Sequence, residues 1–431
     1  MYRKFCDTLS EWYKKNNRKP MLVVGARQTG KTWQIEEFCK NSKAGYFKVN
    51  LEEQKEYLSA FEGNLSPEDI LGRMEMLSGQ KIDRSGLIFI DEIQESELAI
   101  TALKYFCEAK EDYHVIGAGS LLGVKLSRFG NSFPVGKVEI YNMYPMDFEE
   151  FLIASDESIL RDGIRTAYMD RKPLPDGIHK RALQLYMDYL FVGGMPELVK
   201  EYLSSGKNVS AMNRGLMRDL VFAYKADMTK YTISAAEGVK ITEVYDSIPK
   251  QLARDNPKFK YKDVRPMANK RDFSSSLDWL AASGMINRVT KLDAVMSPIK
   301  GYEDKGSIKV YMSDVGILTH SAGLRMRDMM PDVHNIYKGG VTENYVVQQF
   351  AASGKNLNYY KPSESMEIDL VLDTDDGIIP VEIKSGRHRR STSLKNYREK
   401  YSPAYAVRIS ENNFGEIDGL ISVPLYAAWL V

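Results

Sequence analysis

The chain has 431 residues, a net charge of +1 and 43% hydrophobic residues, so it is too long for one ordinary core and too apolar to be disordered. The near-zero charge removes any global electrostatic case for nucleic acid, and such a case must rest on local patches. Three cysteines (Cys6, Cys39, Cys107) have no metal-ligand spacing and are too few for a disulfide framework, which suits a reducing compartment.

The N-terminal stretch MYRKFCDTLSEWYKKNNRK is amphipathic and charged and lacks the apolar core of a signal peptide. A helix is expected over about Tyr2 to Asn16, then a strand over Met21 to Val24, a glycine-rich loop, and a helix from Lys31. Tyr46 to Asn50 reads as a second strand. Leu65 to Leu77 reads as a helix, with Ser66 as its N-cap and Pro67 at its first position. Leu87 to Ile90 is a short apolar run of the kind buried on both faces of a sheet. A helix over Ile93 to Ala109 and strands over His114 to Ala118 and Lys137 to Tyr141 complete an alternating pattern, which predicts a parallel sheet covered on both sides.

From Pro145 to about Tyr231 the pattern is helical, broken at Gly193-Gly194-Met195-Pro196. Three helical stretches between Lys240 and Ser283 precede an alternating segment, Met285 to Tyr311, which is the element order of a winged helix. Arg325 to Lys338 reads as a linker. A mixed α/β pattern runs from Gly340 onward. The expected domains are 1–145, 146–235, 236–335 and 336–431. The longest apolar stretch, LISVPLYAAWLV, is too short to span a bilayer and is broken by Pro424. A cytoplasmic protein with no membrane partner is expected.

Gly25-Ala26-Arg27-Gln28-Thr29-Gly30-Lys31-Thr32 fits the P-loop pattern, between a strand and a helix as that pattern requires. The glycines let backbone N–H groups close on phosphate oxygens at a helix N-terminus. This predicts ATP as the ligand, with Lys31 on its β/γ-phosphates and the Thr32 hydroxyl on Mg²⁺. Leu87-Ile88-Phe89-Ile90-Asp91-Glu92, four apolar residues and two acids, is a Walker B pattern. Asp91 would hold Mg²⁺ through water, and Glu92 would orient the attacking water. The strand His114 to Ala118 ends at Gly119-Ser120, which can set the Ser120 hydroxyl beside the γ-phosphate, or form only a glycine-rich turn.

With these motifs, and with Tyr144-Pro145-Met146-Asp147-Phe148-Glu149-Glu150-Phe151, Gly193 to Pro196 and Val310 to Gly316, the chain resembles AAA-type ATPases with a C-terminal DUF4143 domain. The resemblance implies an α/β protein: a P-loop AAA-type parallel sheet, a helical lid and winged-helix-like region, and a restriction-endonuclease-like α/β domain. Many relatives carry a Gly-Arg pair whose arginine is a finger candidate; here that place reads Gly136-Lys137. Lys137 cannot reproduce a forked contact, and Arg128, a few residues upstream, is the stand-in. Monomer and homo-oligomer both remain open.

In the C-terminal part, Met366 to Leu372 and Ile379 to Lys384 are joined by Asp375-Asp376-Gly377 and read as a β-hairpin. Alternation places Glu367 and Asp369 with Glu382 and Lys384 on one face. On an upstream helix, about Thr342 to Ala352, Glu343 lines up with the apolar stripe Val346, Val347 and Phe350. A carboxylate there must find a cation or raise its pKa. This set looks like the PD-(D/E)xK nuclease constellation, in which Glu343, Asp369 and Glu382 bind Mg²⁺ or Mn²⁺ and Lys384 helps activate water. The other reading of Glu382 and Lys384 is a charge cluster on a solvated face.

Two basic stretches address DNA. Arg254 to Arg271 holds Lys258, Lys260, Lys262, Arg265, Lys270 and Arg271 with Phe259 and Tyr261 interleaved, and Arg387-His388-Arg389-Arg390 follows the metal strand. The other reading of each stretch is a solubilising face, and the place of the second beside Lys384 favours binding. Two functions stand at this point. One is an ATPase controlling a nuclease-like domain that cuts or grips DNA. The other is a nucleotide-switched interaction protein whose C-terminal module does not cleave.

Overall fold

The computed structural model describes residues 1–41, 45–128, 133–232, 234–254, 257–330, 332–363, 366–386 and 392–431. The chain divides into two compact units, one formed by Met1–Tyr144 with Ala282–Gly284, the other by Pro145–Ala281 with Met285–Val431.

The first unit contains α1 (Phe5–Lys14), β1 (Met21–Val24), α2 (Lys31–Asn41), β2 (Tyr46–Asn50), α3 (Pro67–Ser78), β3 (Leu87–Asp91), α4 (Glu97–Glu108), β4 (His114–Ala118), α5 (Leu122–Arg128) and β5 (Glu139–Asn142). Its five strands form one sheet in the order β2-β3-β4-β1-β5, and every pair is parallel. The central strands β1, β3 and β4 lack an apolar–polar alternation because both their faces are covered. On β1, Leu22 and Val24 enter a core with Ile88 and Ile90 of β3 and apolar residues of α3 and α4. Met21 and Val23 face the opposite core, with Phe5, Leu9 and Trp12 of α1 and Ile35 of α2. Ser66 caps α3 by accepting the Asp69 N–H, with Pro67 at the first helical position, as the sequence predicts.

The helix expected over Ile93 to Ala109 is interrupted. Glu92 adopts a left-handed conformation, Ile93–Glu95 form a 3₁₀ turn, and Ser96 then caps a fresh helix by accepting the Ala99 N–H. A serine in the middle of an apolar-periodic stretch was here a start signal.

The second unit begins with helices: α6 (Phe148–Ala154), α7 (Ser158–Asp170), α8 (Asp176–Val192), α9 (Pro196–Ser204), α10 (Gly215–Lys230), α11 (Ala235–Leu252) and α12 (Lys270–Ala282). There follow β6 (Ile286–Leu292), β7 (Glu303–Met312), α13 (Val315–Ser321), α14 (Tyr337–Ala352), β8 (Asn358–Ser363), β9 (Met366–Thr374), β10 (Gly377–Ile383), α15 (Thr392–Tyr401), β11 (Ala406–Ser410), β12 (Gly415–Ile417) and β13 (Leu420–Pro424). All eight strands belong to one mixed sheet, in the order β12-β13-β11-β10-β9-β8-β6-β7.

This changes two expectations. The stretch read as three helices holds two, α11 and α12, separated by a short 3₁₀ turn at Tyr261–Asp263. Between them Phe259 donates its N–H to Ile308 O and Lys258 bridges Lys309, so the chain is drawn out along β7 instead of coiling. The hairpin β6–β7 is not a free-standing wing either. β6 runs parallel to β8, and a domain cut near 335 would divide strands of a single sheet.

The motifs Tyr144 to Phe151, Gly193 to Pro196 and Val310 to Gly316 meet in this unit through buried hydrogen bonds. Asp314 accepts the Gly194 N–H at 2.6 Å and caps α13 through the Ile317 N–H. Met146 donates to Gly194 O at 2.7 Å, and Gln348 of α14 donates to Tyr189 OH at 2.9 Å. A Cβ on Gly193 would lie 2.2 Å from Asp314 Oδ1, so this position admits only glycine. These motifs satisfy buried polar groups and assemble the fold.

Candidate functional site

The P-loop joins β1 to α2. Gly25, Gln28 and Gly30 have positive φ, and a Cβ at Gly25 would stand 2.2 Å from Met143 O. Thr29 Oγ1 donates to Ala26 O at 2.9 Å and fixes the turn. Arg27 and Gln28 are exposed at its rim. Lys31 is buried, and its Nζ donates to Gly25 O and Ala26 O, both at 2.8 Å. The ammonium thus lies folded against its own loop, where an anion would compete for it. A buried residue that the sequence reading passed over braces the loop: Arg3 donates to Thr29 O and Tyr144 O, each at 2.7 Å.

Strand order brings Asp91 to the same end of the sheet. Thr32 Oγ1 donates to Asp91 Oδ1 at 3.2 Å, so the expected hydroxyl and carboxylate meet. Burial, then the neighbouring Glu92 charge, pushes the Asp91 carboxyl up to about 6, against the opposing pull of Lys48 and Thr32. Lys48 Nζ of β2 stands 3.6 Å from Asp91 Oδ2 and 2.5 Å from Glu36 Oε1, another residue missed in the sequence. The donors fit Mg²⁺, a hard cation that takes oxygen ligands, one or two of them carboxylates, together with phosphate oxygens. The glycine cradle fits a phosphate chain.

Glu92 is held at φ 49° at the end of β3. Its Oε2 accepts from Gln94 Nε2 at 2.5 Å and from the backbone N–H of Ser120 at 3.4 Å. Ser120 was expected to offer its hydroxyl; the contact made here is from its main chain. Gln94 is 2% exposed, and its Oε1 is a buried oxygen with no hydrogen-bond partner. A Cβ on Gly119 would lie 1.7 Å from that oxygen, so Gly119 makes room for the amide. The pattern Glu92-x-Gln94 was visible in the sequence but had no assigned role. Lys137 pairs with Glu108 at 3.0 Å on the surface. Arg128 ends α5, and its side chain lies outside the described residues.

The C-terminal carboxylates lie near one another, Glu343 raising Asp369 and both acting with Glu382 on Lys384. Glu343 Oε2 accepts the Tyr311 hydroxyl at 2.6 Å and lies 3.6 Å from Lys309 Nζ. Asp369 Oδ2 accepts the Ile383 N–H at 2.7 Å. Glu382 is buried instead of solvated, with Lys384 at 3.1 Å on one oxygen and Arg408 at 3.3 Å on the other. Among the described residues, no three His, Cys, Asp or Glu side chains stand together so as to hold a metal ion. Each carboxylate of the expected Mg²⁺ or Mn²⁺ set, Glu343, Asp369 and Glu382, has a protein partner of its own. Burial and Glu343 push Asp369 up to about 7. Burial works against the Lys384 charge, but Asp369 and Glu382 outweigh it and leave that ammonium above its ordinary range. Glu343 also borders a cleft of about 1120 Å³, together with Arg254, His334, Lys338 and Glu411.

In the first basic stretch, Lys258, Lys262, Arg265, Lys270 and Arg271 are exposed, Lys260 is half-buried, and Arg265 pairs with Glu243 at 2.6 Å. Phe259 is buried and packs edge-on against Tyr261, so it is a core residue and not a stacking platform. The second stretch, Arg387 to Arg390, lies outside the described residues. No helix of the described residues is long and apolar enough to cross a membrane.

Residues 17–152 match the family model of an AAA domain, 183–328 a domain of unknown function, DUF8612, and 338–427 a domain of unknown function, DUF4143. Comparison with curated proteins gives no match. Among solved structures, the chain is similar to the Aeropyrum pernix ORC1 protein in complex with DNA, at 13% identity over 74% of this chain and 90% of that one, with a TM-score of 0.29. It is also similar to the Aeropyrum pernix ORC2 protein, at 11% identity over 81% and 94%, with a TM-score of 0.37. The Thermotoga maritima RuvB Holliday junction branch migration motor matches at 15% identity over 67% and 90%, with a TM-score of 0.29. With its all-parallel five-stranded sheet, the loop between β1 and α2, and the matched family model, the N-terminal unit is an AAA-type P-loop domain.

Proposed function

We propose that the N-terminal unit binds ATP with Mg²⁺ and hydrolyses it, and that the C-terminal unit is a binding module that does not cut. The observation carrying the first part is the contact of Thr32 with Asp91, with Glu92 held beside it by Gln94 and the Ser120 N–H. Gly25 to Thr32 would hold the phosphates, Lys31 leaving its loop carbonyls for the β/γ-phosphates. Thr32, and Asp91 through water, would hold Mg²⁺, which supplies neutralisation of phosphate charge when bound. Glu92 orients and polarises the attacking water. Its carboxylate is already aimed by two donors, which reduces the reorganisation needed during reaction.

The ion pairs around Glu343 and Glu382 favour a C-terminal unit that grips without cleaving. The exposed cations Lys258, Lys262, Lys270 and Arg271 suit a DNA backbone as partner. Phosphate release and nucleotide binding by the native chain, Lys31→Ala and Glu92→Gln test the first part. Lys31→Ala should lose binding, and Glu92→Gln should bind but turn over poorly. Equal turnover by all three would remove the assignment.

A further inference from the structure

The carboxylate centre of the C-terminal unit contains a cation that the acidic residues alone do not announce. Lys309 lies within β7 and is 1% exposed. Its Nζ is 2.7 Å from Glu367 Oε1 and 3.6 Å from Glu343 Oε2, and sits 5.1 Å from the Tyr359 ring centroid. Tyr311, two residues along the strand, donates its hydroxyl to the same Glu343 oxygen at 2.6 Å. The pairing continues outward: Lys361 stands 3.0 Å from Glu367 Oε2, and Lys384 and Arg408 take the two oxygens of Glu382.

A buried ammonium is tolerated only when carboxylates or other acceptors surround it, and buried carboxylates need a cation in turn. Burial alone would strip the charge from Lys309, yet Tyr311, Glu343, Glu367 and Asp369 hold it protonated well above the ordinary lysine range. Lys309 and Lys361 in turn hold Glu367 below its ordinary range, against the effect of its burial. A divalent metal needs several oxygen lone pairs directed at one point. Here Glu343 Oε2 accepts the Tyr311 hydroxyl, and Glu367 Oε1 lies 2.7 Å from the Lys309 ammonium. A metal ion entering the same space would meet a positive charge already in place.

We propose that Lys309 is the resident cation of this centre, its ammonium holding Glu343 and Glu367 together in the role a divalent metal would otherwise fill. The unit thereby keeps a nuclease-like group of carboxylates assembled without metal, as a scaffold. This deepens the reading of the C-terminal unit as a non-cutting module and rests on it. It carries a definite consequence: removing the ammonium while keeping the acids leaves Glu343 and Glu367 buried with one cation fewer between them.

The test is Mn²⁺ uptake by the full chain without nucleotide, followed through the paramagnetic resonance of free Mn²⁺. Thr32→Val and Asp91→Asn are included to silence the P-loop. This parent should take up no Mn²⁺ at micromolar concentrations. Uptake by the parent that disappears with Asp369→Asn would overturn the proposal. Lys309→Met should lower the melting temperature of the C-terminal unit, and a variant that melts with the parent would overturn the proposal too. The pair Lys309→Met with Glu367→Gln removes one charge of each sign and should recover most of the lost melting temperature. Absence of recovery also overturns it. Mg²⁺-dependent nicking of plasmid DNA by the native chain, lost in Lys384→Ala, is read separately and would sink the non-cutting reading itself.

Discussion

Two groups of carboxylates in this chain share their elementary chemistry and differ in what surrounds them. At the end of β3, Asp91 faces a threonine hydroxyl across a glycine loop with Lys48 3.6 Å from its other oxygen, and Glu92 is aimed by an amide and a backbone N–H. In the C-terminal unit, Glu343, Glu367 and Glu382 are closed by Lys309, Tyr311, Lys361, Lys384 and Arg408. Both groups contain an aspartate pushed up chiefly by burial, Asp91 to about 6 and Asp369 to about 7. A raised carboxylate therefore does not distinguish an open site from a self-neutralised one. The identity of the neighbouring donors does.

The largest effect that should separate the two groups is on turnover. Glu92→Gln should lower ATP hydrolysis by roughly 10²–10⁴-fold, the usual contribution of general-base catalysis, while nucleotide binding by fluorescence stays intact. Asp369→Asn should leave hydrolysis unchanged. If both variants lose turnover alike, the two groups are not functionally distinct.

Next in size is stability. Lys309→Met removes one partner of a buried pair and should destabilise the C-terminal unit by about 3–5 kcal/mol in urea unfolding. A change below about 1 kcal/mol, the usual size for an exposed pair, would mean that the acids do not depend on Lys309.

A smaller effect is expected at Gln94. Gln94→Ala leaves Glu92 in place but frees its carboxylate, so kcat should fall on the order of tenfold through misorientation, with KM little changed. A raised KM with unchanged kcat would assign Gln94 to nucleotide binding instead.

The last effect is the pH dependence of stability. Both aspartates have folded-state values above their ordinary 3.8. The stability they contribute is therefore fully present below about pH 4 and is lost as pH rises through about 6 and 7. Melting temperature should fall over that window. Asp369→Asn should remove the upper part of the slope, and Asp91→Asn the lower part. A profile that both substitutions leave unchanged would refute the assignment of the slope to these groups.

The residues of the proposed nucleotide site were largely legible in the sequence because their chemistry is local. Gly25 to Thr32 is one contiguous loop, and a continuous apolar run ending in Asp91-Glu92 identifies both the buried strand and the acids at its tip. What escaped was lateral. Lys48 reaches Asp91 from β2, Arg3 braces the loop from a segment before β1, and Gln94 reaches Glu92 only because Glu92 turns left-handed and cuts short the helix expected from Ile93. The C-terminal site was read from its acids, which alternate along β9 and β10 as predicted. Of their closing cations, Lys384 follows β10 and was read with them, while Lys309, Lys361 and Arg408 lie on β7, β8 and β11, and strand pairing across a mixed sheet is not written in local periodicity. Lys309-Val310-Tyr311 did offer a signal: alternation puts the lysine and the tyrosine on one face of a mostly buried strand. A lysine there must have acidic company. The hairpin expected as a separate wing was misplaced for the same reason, since β6 pairs with β8 across a long sequence gap.

The most direct measurement is the number of Mn²⁺ ions bound by the full chain saturated with a non-hydrolysable ATP analogue. One equivalent, lost in Thr32→Val and unaffected by Asp369→Asn, is the predicted result. A second equivalent that Asp369→Asn removes would show the C-terminal carboxylates to be an open metal site and contradict the account.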